Sequence, residues 1–584
     1  RGMAMFMAAM TAIAACSGGD DTTEPTPPPG TAEPAGAAAP ASSAASTTVP
    51  VTEERPSDGP VIVTLAPDTA PEPVQGGVLR IGLSAEVDGL NPTASALTAA
   101  SGLMMAAAVF DKLAELTPEG DWVPFLAQSF TPNDDHTVWD VDLRPGIVFH
   151  DGTPLDAEAV RVNFAAQYED SLVGLALRTQ YAGPEAAEVI DADTVRFHLL
   201  DPNAHWPVSM ASQLGMIASP TWIAAALADP TLNQQPVGTG PFRFVSRSED
   251  AATIFERNDE WWNGEVYLDR IEYISVADSP SRGELLAAGE IDGLHTVDPA
   301  VIDDFRDADG FTALLNDSSE ETFFMVNTTA PPFDDLRVRR ALALATPKAA
   351  YVDLIGLGVV RAADQMFIPE SPFHNPDVHQ EADDPAAAAA LVAEYCAERG
   401  AETNPVTGQP TCIDGKVQIE YQYPSDMLNG RIADLVIDSW RSVFEITRQE
   451  LIGDQHISQT VLGQYNAVIW QGFGALNPTS DWVWISCRSI GGISLNFPRY
   501  CDEQRDAAML AAQATTDPEV RAEQFQEVVR MMNESGAYVF MTHTMWMHAY
   551  RDGVHGMCDR QSPEGVPLAC AIGGAIWPVT MYLT

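Results

Sequence analysis

The chain has 584 residues, with 82 acidic against 31 basic side chains and a formal net charge of −51. That balance excludes sequence-independent binding to nucleic acid or anionic lipid, because phosphates are repelled rather than neutralised. Hydrophobic residues at 46%, with 12 Trp and 22 Phe, exclude wholesale disorder and predict a large core. The length predicts several domain-sized units or one multi-lobed body. The acid excess is spread along the chain and reads as a heavily solvated surface.

The run Met3 to Ala15 is uncharged and mostly apolar. It is shorter than the ~20 residues that span a bilayer, but it suits the apolar region of a signal peptide. It ends Ala12-Ile13-Ala14-Ala15-Cys16, and this resembles the bacterial lipobox. Residues 1–16 are therefore expected to be a lipoprotein signal and lipobox, with Cys16 diacylated as the sole membrane attachment. Residues 17–74, rich in Ala, Pro, Thr and Ser and containing Pro27-Pro28-Pro29, predict an extended, disordered tether. A lipid, a tether and a globular body place the protein at the outer face of a bacterial cytoplasmic membrane.

From Gly76 short strands and helices alternate. Strands are expected at Val78 to Leu83, His136 to Leu143, Val195 to Leu199, Phe242 to Val245, Thr253 to Phe255, Ile271 to Ile274 and Phe323 to Val326. Thr153-Pro154-Leu155-Asp156 predicts a helix capped by Thr153 with Pro154 in its first turn, and Ser219-Pro220 repeats the device. Later helices are expected at Asp335 to Leu344, Pro385 to Arg399, Ile432 to Val443 and Pro518 to Asn533. Strands Val417 to Tyr423 and Ala467 to Trp470 lie between, and Met541 to Met547 reads as an aromatic and Met-rich strand. No long repeat period occurs, which excludes a solenoid or propeller.

Apart from Cys16, the cysteines form three close pairs: Cys396 and Cys412, Cys487 and Cys501, Cys558 and Cys570. Their clustering favours neighbour-to-neighbour disulfides, each worth about 3 kcal/mol in the loop-entropy account, and an oxidising compartment. None shows zinc-site spacing, so no metal is expected.

Catalytic signals are missing. His150-Asp151-Gly152-Thr153-Pro154 reads as a strand-to-helix turn rather than a dyad. Gly238-Thr239-Gly240-Pro241-Phe242 lacks the Lys-Ser/Thr of a phosphate loop and leads into a strand. His374/His379 and His543/His548 are spaced off a common helical face, and no G-x-S-x-G elbow occurs. A non-enzyme without cofactor is expected.

Several ordered blocks carry a resemblance. They are Gly76-Gly77-Val78-Leu79-Arg80-Ile81-Gly82-Leu83 with Glu86 and Leu90-Asn91-Pro92, Pro124 to Phe130, Val148 to Pro154, Val237 to Phe242, Arg257 to Trp262 and Arg337 to Leu342. Together these resemble the extracellular solute-binding proteins of family 5, the oligopeptide-, dipeptide- and nickel-type receptors of ABC importers. The resemblance implies an α/β, two-lobed periplasmic-binding-protein-like (type II) fold with a hinge and an enlarged first lobe. Lobe I would be 75–317, lobe II 318–535, and 536–584 a C-terminal return to lobe I. It implies a receptor, expected as a monomer, that captures a peptide-like ligand and delivers it to an importer's permease and ATPase subunits. The alternatives are a non-peptide organic solute, or a signalling or scaffold lipoprotein without transport.

In oligopeptide-type members the position of Glu86 lines the pocket. In peptide-binding relatives a strand ending in Trp precedes a loop whose Asp pairs with the peptide's α-amino group. Here Trp470 ends the strand, followed by Phe473, Gly474, Ala475, Leu476, Asn477 and Pro478, and Gly474 stands where that Asp would be. The amine is then met by another acid, such as Glu86 or Asp481, or the ligand has no free amino end. The expected ligand-binding residues are Glu86, Trp470, Phe473, Gly474, Ala475, Asn477 and Trp482, with the aromatic rings, Trp484 included, supplying stacking surface. For Trp482 and Trp484 core packing is the rival reading.

Overall fold

Two mixed seven-stranded sheets organise the chain. The computed structural model describes residues 71–584 apart from 96, 98, 249–250, 319 and 474–475, and the side chain at 454. The signal, Cys16 and most of the tether lie outside the described residues.

In the first sheet, Val78–Leu83 pairs in parallel with Arg270–Ser275 on one side and Gly293–Thr296 on the other. Ala252–Arg257 and Phe242–Ser248 extend one edge, and Trp546–Arg551 and Phe311–Asn316 the other. Leu79, Ile81 and Leu83 are buried against helix Ala100–Val109 and its neighbours. A separate four-stranded antiparallel sheet enlarges this lobe, and its strands Ala127–Pro132, Val138–Leu143 and Thr194–His198 pack on Trp206.

The second sheet is centred on Glu321–Val326, flanked by Tyr538–His543 and Ala467–Gly472. All six residues of each of the first two strands are buried, as a near-continuous apolar run requires when both sheet faces are covered. Lys416–Pro424 and Phe444–Leu451 continue the sheet in parallel. The disulfides join Cys396 to Cys412, Cys487 to Cys501 and Cys558 to Cys570.

Local signals place most elements. Helix Pro385–Arg399 starts as its cap dictates, with Asp384 accepting from the Ala387 N–H. Ser219 caps Pro220–Ala228 by accepting from the Trp222 N–H. Two expectations change. Helix Ala157–Glu169 is capped by Asp156, not Thr153, because Phe149 N–H donates to the Thr153 carbonyl and Leu155 N–H to the Ile147 carbonyl, holding 153–155 extended. The segment Met541 to Met547 is not one strand. Tyr538–His543 belongs to the second sheet and Trp546–Arg551 to the first, with Thr544 and Met545 between them.

The chain thus passes between sheets twice, at 316–321 and at 543–546. The boundary read near 317 falls in the first crossing. The one read at 535 falls at the end of helix Pro518–Ser535, one strand before the second crossing. Among the described residues no helix is long and apolar enough to cross a membrane.

Candidate functional site

Acids gather where the two crossings pass. Glu321 opens its strand opposite Gly472 and His543 and is 1% exposed. Its Oε1 lies 3.0 Å from His543 Nδ1, while Oε2 is sealed without a partner among the described residues. Burial, then the neighbouring Asp481, Glu320 and Asp317 charges, push its carboxyl well above the usual carboxylate range. Glu320 Oε2 accepts from Trp546 Nε1 at 2.9 Å, and burial raises its carboxyl to about 7.

Asp481 is the most isolated of these acids. It closes the short turn Pro478–Asp481, whose cap is the Asn477 side chain accepting from the Thr479 N–H. It is 2% exposed, and its Oδ2 is sealed without a partner among the described residues. Burial pushes it up to about 8. Asp317 is different, because its Oδ2 accepts from Arg361 Nε at 2.7 Å. The same guanidinium also donates to Glu370 at 2.9 Å. His543 supplies no charge, since burial and Arg361 hold its imidazole down to about 3.

The bodies built on the two sheets touch at several points. Asn477 Nδ2 donates to the Gly120 carbonyl at 2.9 Å, Ala204 N–H to the Gln513 carbonyl at 2.8 Å, and Arg431 Nη2 to Asp298 at 3.1 Å. Arg488 pairs with Asp201. Glu321 and Asp481 thus each bury a carboxyl oxygen that no described residue hydrogen-bonds.

The family model for bacterial extracellular solute-binding proteins, family 5 (Middle), matches residues 121–489. The chain is a family 5 solute-binding protein. It is 24% identical over 478 residues to di/tripeptide-binding protein 2 of Pseudomonas aeruginosa, an alignment covering 78% of this chain and 87% of that one. It is 23% identical over 467 residues to the nickel-binding periplasmic protein of Escherichia coli, covering 75% and 84%. The periplasmic binding protein DppA from Helicobacter pylori, solved with the peptide STSA, superposes with a TM-score of 0.74 at 18% identity, covering 87% of this chain and 98% of that one. The fold is accordingly the two-lobed type II periplasmic-binding fold. The protein is an extracytoplasmic transport receptor of the ABC-importer kind, not an enzyme.

The residues singled out from the sequence of this solute-binding protein are dispersed. Glu86 is exposed on its loop and pairs with Arg247 Nη2 at 2.9 Å. Trp470 is half-buried, stacked 5.3 Å from His456 and edge-on to Phe497 at 5.0 Å. Phe473 takes a positive φ of 65° and stacks on Phe323 at 5.0 Å. Gly474 and Ala475 lie outside the described residues. Asn477 is occupied by Gly120, and by Arg521 Nη2, which donates to its Oδ1 at 2.7 Å. Trp482 is buried beneath the Arg488 guanidinium. Its segment Trp482–Ile485 is a single helical turn, so strand alternation does not sort Trp482 from Trp484.

Of the converging acids, the sequence reading named only Asp481. Glu320 and Glu321 were not named, and Trp546 was read only as part of the aromatic and Met-rich strand Met541 to Met547. Their one local signal is a Glu-Glu pair at the mouth of an otherwise apolar strand, Thr322 to Val326.

Proposed function

We propose that the protein captures a peptide-like solute with a free amino group in the cleft between its lobes and hands it to the permease of an ABC importer. The observation that carries this is Asp481, a buried carboxyl whose Oδ2 lacks a partner among the described residues. An unpaired buried acid is unfavourable, and an ammonium group relieves it through a charge-assisted hydrogen bond worth about 1.5–3 kcal/mol. Gly474 has no side chain to offer, so the amine-binding role passes along the same loop to Asp481. The lobes, 75–317 and 318–535 with the return 536–584, close by bending at the two crossings. Cys16 carries the lipid, 17–74 is the tether, and the receptor works as a monomer.

The test is isothermal titration of the purified protein with trialanine and with N-acetyl-trialanine. Binding of the free amine with at least about tenfold loss on acetylation is expected, tenfold being about 1.4 kcal/mol, together with a similar loss in Asp481→Asn. Equal binding of both peptides by the wild type sinks the assignment of Asp481.

A further inference from the structure

One ammonium group accounts for Asp481 and leaves two more acids near it, Glu320 and Glu321. Glu320 and Glu321 are adjacent, the first half-buried and the second buried, and the Glu320 charge adds to burial in raising the Glu321 carboxyl. Asp317, the fourth acid, has Arg361 as its cation, and Arg361 is further engaged by Glu370. Among the described residues the side chains of Glu320 and Glu321 are met by neutral groups, the Trp546 indole N–H and the His543 ring. Glu321 keeps Oε2 sealed and unpartnered among the described residues.

The wall over this pair is also built. A Cβ at Gly573 would stand 3.3 Å from Glu320 Oε1, and one at Gly574 would stand 2.4 Å from the Trp546 ring. Both glycines have positive φ, 52° and 72°, so the turn presses bare backbone onto the carboxyl and the indole. The indole in turn stacks on His295 at 5.5 Å. Neighbouring buried carboxyls persist by sharing protons or by taking a cation.

We propose that the cargo carries a second positive charge beside its amino group, seated against Glu320 and Glu321. This rests on the assignment of the amino group to Asp481 and narrows it to a chemical class: short peptides beginning with Lys or Arg, or compact diamines. Other residues facing the pair are Asp481, the Asp317–Arg361 ion pair and His543, whose own neighbours include Lys348, Asp364 and His374. None of these places a free cation on Glu320 or Glu321.

The test is titration of the full-length protein near neutral pH with Lys-Ala, Ala-Lys and Ala-Ala, repeated on Glu321→Gln and Glu320→Gln. Lys-Ala is expected to bind at least about tenfold tighter than Ala-Ala and Ala-Lys. That advantage collapses to about twofold in either variant, while Ala-Ala changes by less than about threefold. Titration in two buffers of different ionisation heat should show more protons released by Lys-Ala than by Ala-Ala, because more carboxyls ionise.

Equal affinity for Lys-Ala and Ala-Ala overturns the second charge and leaves the peptide receptor standing. Failure of all three peptides overturns both the receptor reading and this inference. Nickel ion binding in place of the peptides, lost in Glu321→Gln, overturns the peptide class. If the Glu321 variant does not fold, the wild-type ratio and Glu320→Gln decide.

Discussion

Glu115 in strand Ala114–Leu116 lies 2.8 Å from both Lys112 Nζ and Arg560 Nη2. The two cations also sit over the Trp577 ring, 4.9 and 4.3 Å from its centroid. Beside them Asp111 accepts from Thr239, Trp261 and Trp262. Asp481 and Glu321 are buried as deeply, and among the described residues no Lys or Arg pairs with either. Buried charge in the first cluster is compensated within the chain, so it is architecture that ties the C-terminal return to lobe I. In the second no Lys or Arg of the described residues supplies the compensation, and the proposed ligand would supply it.

The largest effect should come from breaking the compensated cluster. Glu115→Ala leaves Lys112 and Arg560 buried without an acid and is expected to lose about 3–5 kcal/mol in urea unfolding. Asp481→Asn should do the opposite to the unliganded protein. The folded Asp481 carboxyl sits at about 8 against the usual 3.8. The folded state therefore binds an extra proton across that window, and stability falls as pH rises from about 4 to about 8. The variant is expected to gain roughly 2–4 kcal/mol at pH 8, at ~1.4 kcal/mol per pKa unit, with a flatter profile of melting temperature against pH. Part of the slope should remain, from Glu320 at about 7.

Ligand binding gives the mirror image. An ammonium ligand ionises Asp481 and releases its proton, so affinity should rise by up to about tenfold per pH unit between about pH 5.5 and 7. Calorimetry that shows flat affinity there would place the amine elsewhere. The smallest effect marks the limit of the comparison. Arg530 pairs with Glu527 and Glu534 on an exposed helix face, and Arg530→Ala should change stability by less than about 1 kcal/mol.

Much of the fold was legible because its causes are local. Val78–Leu83 is a strand in both readings, and Pro385–Arg399 begins and ends where its Pro, its cap and its basic last turn place it. Errors arose where a distant partner overrode a local cue. Thr153 is a good cap by type, but its carbonyl is engaged by Phe149. The Met541 to Met547 run has strand composition throughout, yet the change of sheet at Thr544 is decided by which strands await pairing on either side. The site was less legible still. Asp481 was named as one of two acids that could meet the ligand's amine, and the other, Glu86, pairs with Arg247.

By itself the sequence determined the α/β pattern, the Ser219 cap, the cysteine pairs and the family, because each rests on spacing along the chain or on ordered motifs. The tertiary structure decided which acids are deep and which have a cation. Desolvation and pairing depend on every group within a few ångströms, wherever it lies in the chain. Glu320 and Glu321 read as an unremarkable polar strand end until the crossings at 316–321 and 543–546 bring Trp546, His543 and Asp481 around them.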